Sequence, residues 1–126
     1  INGDLITNLD FEKMLDFHNE NNSKATMCIA EYNLELPYGE VKLNNEKIVS
    51  IEEKPIHKIF VNAGVYILDP KCIELIPKTF YDMPSLFKKI IANKKKTISF
   101  PIHEYWVDIG RFDDYKKAKL EYSKMF

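Results

Sequence analysis

Cysteine and glycine are scarce in this chain, and long apolar runs are absent from it. Its 126 residues include two cysteines and four glycines. Cys28 and Cys72 are too few for a disulfide framework and do not have the spacing of a zinc site. Cys28 stands in the apolar run Thr26-Met27-Cys28-Ile29-Ala30, so we predict that it is a small core residue. Free cysteines of this kind are typical of a reducing compartment.

The sequence also lacks a membrane signal and an excess of charge of either sign. No stretch approaches the roughly 20 apolar residues that a membrane-spanning helix needs, and no charged-then-apolar signal peptide opens the chain. The formal net charge of -1 gives no general attraction to nucleic acid or to anionic lipid. We therefore expect a cytoplasmic protein that binds neither nucleic acid nor membranes.

The composition, 45% hydrophobic and 29% charged, is typical of one globular domain with a real core. The chain opens on Ile1 rather than on a methionine. We expect it to be a fragment, a cleavage product or a truncated form of a longer protein.

Helical periodicity appears in four places. Asp10 is expected to open the first helix, although Thr7 could start it slightly earlier. Asp69-Pro70 begins a short helix through Ile76, and Asp82 caps the next one. The predicted apolar face of that helix consists of Leu86, Phe87, Ile90 and Ile91, and the closing helix has Phe112, Tyr115, Ala118, Tyr122 and Met125 on its apolar face.

Strand patterns alternate with these helices. Asn2-Gly3-Asp4 is expected to end a strand, and the turn Asn44-Asn45 predicts a hairpin. The remaining strands are predicted at 24–32, 40–43, 48–53, 60–68 and 97–102, and residues 105–110 are predicted to form a short strand that ends in a tight turn. Strands and helices mixed in this order predict an α/β fold whose sheet contains parallel and antiparallel pairs.

The turn Glu52-Glu53-Lys54-Pro55 places a cation beside two carboxylates between two predicted strands. A lysine there can bind a phosphate, and a carboxylate can accept hydrogen bonds from sugar hydroxyls. The alternative is an ordinary solvated loop. Asn62 and Gly64 inside the following strand indicate either a close backbone contact or a strand surface left open for a ligand.

Asp4 and Asp108 are each expected at a strand end, where open α/β sheets bind ligands. Two carboxylates that converge there suit Mg²⁺, which takes one or two protein carboxylates together with phosphate oxygens and water. The alternative is that each aspartate caps a neighbouring turn.

Five short motifs follow one another along the chain. They are Asn2-Gly3-Asp4, Tyr38-Gly39-Glu40-Val41, Glu52-Glu53-Lys54-Pro55, Asn62-Ala63-Gly64-Val65-Tyr66 and Trp106-Val107-Asp108-Ile109-Gly110. In this order and approximate spacing, the chain resembles the sugar-1-phosphate nucleotidylyltransferases, also called nucleoside-diphosphate-sugar pyrophosphorylases. The resemblance implies a Rossmann-like mixed sheet with an inserted hairpin.

The resemblance also implies an activity and a set of site residues. The reaction would transfer a nucleoside monophosphate from an NTP to a sugar 1-phosphate and release pyrophosphate. Asp4 and Asp108 match the aspartates that bind Mg²⁺, and with Lys54 they are the expected catalytic residues. Lys54 matches the lysine that pairs with the sugar phosphate, and Glu53 the carboxylate that binds sugar hydroxyls. Gly39 and Asn62 would also contact the sugar phosphate, while Trp106 could line the pocket or lie in the core.

One family feature is missing. The family carries a glycine-rich loop with Arg and Lys that binds the triphosphate, and no Gly-x-Gly-x-x-Arg pattern occurs here. Residues 1–126 would therefore be the C-terminal, sugar-phosphate- and metal-binding part of a nucleotidyltransferase domain. We expect this chain alone to be inactive, and to associate with the missing N-terminal half or with another copy.

Alternatives stay open for the nucleotide base and for the activity itself. The segment Tyr105 to Arg111, followed by Asp114-Tyr115, looks closest to the guanylyl-transferring, mannose-1-phosphate-like branch. GTP, dTTP and UTP all stay open as the nucleotide. A non-catalytic sugar-phosphate-binding or interaction module with the same fold is the second hypothesis, and the presence of Asp4, Lys54 and Asp108 favours the enzyme.

Overall fold

A computed structural model describes residues 1–110 and 112–125. The chain divides into two compact units. The larger unit comprises residues 1–30 together with the chain from residue 62 onward, and the hairpin unit comprises Glu31–Val61. Within the described ranges, no helix is both long enough and apolar enough to cross a membrane.

Four helices occur in the described residues of the larger unit. They are α1 (Phe11–Glu20), α2 (Pro70–Ile73), α3 (Met83–Ala92) and α4 (Phe112–Met125). Asp10 caps α1 by accepting a hydrogen bond from the Lys13 amide at 3.0 Å, and Asp82 caps α3 through the Ser85 amide at 2.9 Å. Both predicted caps are confirmed, because a carboxylate satisfies amides that have no partner inside the helix.

Two helix predictions need correction. Helix α2 ends at Ile73 rather than at Ile76, because Leu75 and Ile76 form tight hydrogen-bonded turns just before Pro77. Ile91 does not share the buried face of α3, since its side chain is 59% exposed. It follows Ile90 directly and is therefore turned about 100° away from that buried residue.

Seven strands occur in residues 1–110 and 112–125. They are β1 (Leu5–Thr7), β2 (Ala25–Glu35), β3 (Glu40–Asn44), β4 (Lys47–Glu52), β5 (Ile56–Leu68), β6 (Thr97–Pro101) and β7 (Trp106–Asp108). Strand β2 lies between β5 and β6 and runs parallel to β6. The pairs β1–β7 and β3–β4 are antiparallel. The predicted mixture of parallel and antiparallel strands in an α/β fold is confirmed.

The core of the larger unit forms where α3 covers buried residues of β2 and α2. Its buried members are Ala25, Cys72, Leu86, Phe87 and Ile90. Cys28 is also buried and free, as predicted, and its burial raises the pKa of the thiol to about 11. Ala118 is the buried residue of the predicted α4 face, whereas Tyr115 and Tyr122 are about half exposed. The side chains of Phe112 and Met125 lie outside the described part of the chain.

The prediction that Asp4 ends a strand is wrong. Strand β1 begins at Leu5, directly after Asp4, and Asn2 and Gly3 precede it without strand pairing. Three residues, all of them partly buried, carry too little periodic signal to show on which side of the motif the strand lies. Asp108, in contrast, is the last residue of β7, as predicted.

Candidate functional site

Two aspartates of the larger unit approach the same glycine. A Cβ atom added to Gly110 would lie 2.8 Å from Asp4 Oδ2 and 3.0 Å from Asp108 Oδ1. Any side chain at this position would therefore displace the Asp4 carboxylate and crowd that of Asp108. The structure thus brings together two residues that are more than 100 positions apart in the sequence, as the prediction of convergence required.

The antiparallel pairing of β1 with β7 explains this convergence. Leu5 is the register partner of Asp108, so the start of β1 meets the end of β7. The Ile109 amide donates a hydrogen bond to the Asp4 carbonyl at 2.8 Å and extends the pairing past the strand ends. Asp4 therefore reaches the site from the beginning of its strand, although the sequence indicated the opposite end.

The two carboxylates have different surroundings. Asp108 is half-buried, and its Oδ1 accepts a hydrogen bond from the Gly110 amide at 2.8 Å, which is the turn-capping role considered from the sequence. Asp4 is exposed, and its carboxylate accepts no hydrogen bond from residues 1–110 or 112–125. Oxygen atoms of Asp4 and of Asp108 thus stay available to a ligand.

A complete protein-supplied metal cage is not present in the described ranges. No group of three or more His, Cys, Asp or Glu side chains is arranged there to hold a metal ion. The donor set is a pair of carboxylates. Such a pair suits Mg²⁺, which commonly keeps water and phosphate oxygens in its remaining coordination positions.

Gly64 lies in β5 in a left-handed conformation with φ of +78°, beside the N-terminal motif. The Asn2 amide donates to the Gly64 carbonyl at 2.8 Å, and a Cβ on Gly64 would lie 2.7 Å from Asn2 Nδ2. Of the two interpretations of this glycine, close contact with other protein atoms is the one observed. The space above Gly64 is filled by Asn2 and Leu5 rather than left open.

Asn62 and Trp106 both make hydrogen bonds within the larger unit. Asn62 Oδ1 accepts from the Gly64 amide at 2.8 Å, and its Nδ2 donates to the Tyr66 hydroxyl at 2.8 Å. The Trp106 indole donates to the Ala63 carbonyl at 2.8 Å from a half-buried position. Asn62 is nevertheless exposed, so its amide keeps one N–H and one lone pair for a further partner.

In the hairpin unit, Gly39 lies against the charged turn. A Cβ on Gly39 would lie 3.2 Å from Glu53 Oε2 and 3.9 Å from the Glu52 carbonyl oxygen. The Glu53 and Lys54 side chains are exposed. The structure therefore places Gly39 and Glu53 side by side, with Lys54 next in the chain.

Lys54 has an unusual backbone conformation. Its φ is +44°, in the left-handed region, and it precedes Pro55, which is buried. The Leu36 amide donates to the Pro55 carbonyl at 3.1 Å and ties the turn to the segment that leads to Gly39. The predicted phosphate-binding lysine is thus held at a backbone outlier.

A side-chain hydrogen bond between a histidine and a glutamate in the same unit was not foreseen from the sequence. His57 Nε2 lies 2.8 Å from Glu40 Oε2, and both side chains are partly exposed. Glu40 follows Gly39 in the chain and is the register partner of Glu52. The hairpin register predicts that β3 lies beside β4, but it does not predict where the start of β5 lies. The sequence therefore held no direct signal for the contact between His57 and Glu40.

Known proteins resemble this chain in sequence and in fold. A family model described as "Nucleotidyl transferase" matches residues 1–125. The chain belongs to the nucleotidyl transferase family. The resemblance indicated by the five motifs is thereby confirmed.

Curated relatives of this family member have related names. The chain is 29% identical over 126 residues to a mannose-1-phosphate guanyltransferase of Yarrowia lipolytica, a match that covers 97% of the chain and 35% of the relative. It is 28% identical over 137 residues to a glucose-1-phosphate adenylyltransferase of Clostridium perfringens, covering 98% of the chain and 35% of the relative. The chain therefore spans about a third of the length of these curated relatives.

Solved structures of similar fold include HddC from Yersinia pseudotuberculosis. This structure superposes with a TM-score of 0.63 at 28% identity and covers 97% of the chain and 53% of HddC. A second HddC structure, complexed with GMP-PN, gives a TM-score of 0.64 at 27% identity. These neighbours confirm the fold class as that of a nucleotidyltransferase domain, of which this chain spans about half.

Proposed function

We propose that this chain is the C-terminal, sugar-phosphate- and metal-binding part of a nucleotidyltransferase domain, in an enzyme that transfers a nucleoside monophosphate from an NTP to a sugar 1-phosphate. Residues 1–126 would supply the acceptor and metal-binding side of the domain. The observation that carries the proposal is the approach of Asp4 and Asp108 to Gly110 in a member of the nucleotidyl transferase family. The names of the guanyl- and adenylyltransferase relatives support the same reaction class.

The reaction asks for positioning more than for proton transfer. An oxygen of the sugar phosphate forms a bond to the α-phosphorus of the NTP, and the bond from that phosphorus to the pyrophosphate oxygen breaks. The attacking oxygen is already ionised at neutral pH, so no general base is needed. The main difficulty is that two anions must be held in line, which calls for charge neutralisation and orientation.

Asp4 and Asp108 would hold the divalent cation. When it is bound, Mg²⁺ neutralises phosphate charge. Asp108 would be kept in place by the hydrogen bond from the Gly110 amide, while Asp4 is exposed and available for coordination. Gly110 leaves room beside both carboxylates, and this space supports the assignment of the pair as ligands.

The hairpin unit would bind the acceptor through its charged turn. Lys54 would pair with the sugar phosphate and Glu53 would accept hydrogen bonds from sugar hydroxyls. Gly39 would let the backbone approach the sugar, because a side chain there would crowd Glu53. Asn62, exposed and already oriented by Gly64 and Tyr66, would add a polar contact to the sugar or its phosphate.

Guanylyl transfer is the branch that the sequence favours, through the segment that ends at Arg111. Arg111 itself lies outside the described residues. Relatives named as guanyl- and adenylyltransferases match at nearly the same identity, so ATP joins GTP, dTTP and UTP as a nucleotide to be tested.

A direct test combines binding with turnover. The 126-residue chain should bind α-D-mannose 1-phosphate in an NMR titration, with shifts at Gly39, Glu53 and Lys54. It should release no pyrophosphate from GTP and Mg²⁺ on its own. A chimera in which the upstream part of HddC precedes Ile1 should release pyrophosphate, and turnover by the isolated chain at the chimera's rate would contradict the assignment of a partial domain.

The second candidate is a non-catalytic module with the same fold. The variant Lys54→Ala, made in the chimera, distinguishes it from the enzyme. The enzyme proposal expects a loss of sugar-phosphate affinity and of rate, on the order of tenfold or more, because a charge-assisted contact is removed. A matched control is Lys47→Ala, which removes an exposed lysine from the other end of the hairpin. Unchanged affinity and rate in Lys54→Ala would favour the non-catalytic module.

A further inference from the structure

We propose that Pro55 is a positioning residue, which holds Lys54 in the left-handed conformation and thereby orients its ammonium group for the acceptor phosphate. This inference rests on the proposed function of Lys54. It adds that the lysine is oriented by its own backbone, and that a buried proline maintains this orientation.

The conformation of Lys54 differs in context from the other left-handed residues. Asn22 and Lys94 directly follow the C-caps of α1 and α3, and Asn45 lies in the β3–β4 hairpin turn. Left-handed residues are common in those places. Lys54 lies at neither, and its φ of +44° directly precedes a proline, which normally favours an extended residue.

A strained residue persists only where its surroundings determine its conformation. Pro55 supplies such an anchor, because it is the one buried residue of Glu31–Val61, all of which the structure describes. Its carbonyl accepts the hydrogen bond from the Leu36 amide at 3.1 Å. Pro55 is therefore held in place both by the burial of its ring and by the hydrogen bond to its carbonyl oxygen.

The Glu53 carboxylate lies beside Gly39, where an added Cβ would be 3.2 Å from Glu53 Oε2. Glu53 is exposed, so this contact leaves Pro55 as the anchor of the backbone at Lys54. Because a lysine side chain is flexible, fixing its backbone lowers the entropy lost when it binds a phosphate.

The direct test replaces Pro55 by alanine and measures both conformation and binding. In Pro55→Ala, the three-bond HN–Hα coupling of Lys54 should move toward the value of an extended residue, because the buried anchor is lost. The substitution also removes the bias of proline toward an extended preceding residue, so a shift in this direction reports the anchor and not the local proline effect. The dissociation constant for α-D-mannose 1-phosphate should rise by about tenfold. The matched control is Pro77→Ala, an exposed proline of the larger unit, for which we expect a change of less than about twofold.

A second variant separates orientation from simple loss of folding. The native Cys28 and Cys72 allow the chain to be assembled by ligation with D-lysine at position 54 in the Pro55→Ala background. D-residues prefer positive φ, so this variant should regain most of the lost affinity. If Pro55 had only a structural role, the configuration of residue 54 would not restore binding.

The outcomes distinguish this inference from the function on which it rests. If the unsubstituted chain and the HddC chimera both fail to bind the sugar phosphate, the proposed function fails and this inference fails with it. If they bind it and Pro55→Ala keeps both the affinity and the Lys54 coupling, the positioning role alone is overturned. Loss of affinity that D-lysine does not restore also overturns it.

Discussion

Asp4 and Asp108 both approach Gly110, the first from just before β1 and the second from the end of β7. Their carboxylate oxygens come within 2.8 Å and 3.0 Å of the position that a Cβ of residue 110 would occupy. A backbone hydrogen bond between Ile109 and Asp4 closes the same corner. The two strands position the aspartates, and the absence of a side chain at Gly110 leaves space for both carboxylates.

Gly110→Ala should therefore disrupt the pair without touching either aspartate. The added methyl group forces at least one carboxylate to move, since contacts under 3.0 Å cannot be kept. We expect Mn²⁺ binding, followed by water proton relaxation, to weaken by about tenfold or more. Gly3→Ala is the control, because a Cβ there has open space around it, and equal Mn²⁺ binding by the two variants would contradict the assignment.

Gly64→Ala should destabilise the larger unit. The substitution forces alanine to a φ of +78° and brings its methyl group to 2.7 Å from Asn2 Nδ2. Together these effects should lower the free energy of unfolding in urea by about 2–4 kcal/mol. Adding Asn2→Ala relieves the collision with Asn2 but neither the contact with Leu5 Cδ1, at 2.9 Å, nor the backbone strain, so the double variant should recover only part of the loss.

Lys54 offers a test of strain that needs no ligand. Glycine is ordinarily less stable than alanine in a folded chain, but it adopts positive φ without cost. At φ of +44°, Lys54→Gly should be more stable than Lys54→Ala by about 1 kcal/mol in urea unfolding. Lys47→Gly and Lys47→Ala, in strand β4, should show the ordinary order. The ordinary order at residue 54 would remove the evidence for strain.

Stability should fall in mildly acidic solution because of His18. This histidine is buried with Nδ1 2.7 Å from Thr26 Oγ1. Burial lowers the pKa of His18, and Lys24 lowers it further, while Asp69 opposes the shift. Between this lowered pKa and the unfolded pKa of about 6.5, the unfolded chain binds more protons than the folded chain. The stability of the folded chain is therefore greatest above the unfolded pKa and decreases as the pH falls from there toward the folded pKa.

The free energy of unfolding, measured at pH values between 5 and 8, checks this expectation. His18→Gln should flatten the dependence, whereas His103→Gln, which changes an exposed histidine, should leave it intact. An unaltered slope in His18→Gln would assign the pH dependence to other groups.

Much of the local structure could be predicted from the sequence. Asp10 and Asp82 cap their helices through amides three residues away, and Asn44-Asn45 marks a hairpin between adjacent strands. These features depend on hydrogen bonds and periodicity among residues close together in the chain, which a linear pattern contains. The order of the motifs was likewise enough to indicate the family.

Other features required the folded chain. Asn2 fills the space above Gly64, and Pro55 holds a strained Lys54 through a bond to Leu36. The sequence placed Asp4 and Asp108 at one site but assigned Asp4 to the wrong end of its strand, because only the antiparallel register of β1 with β7 brings a strand start to a strand end. Contacts between residues 20 to 100 positions apart depend on how elements pair and pack, and a local pattern does not contain that information.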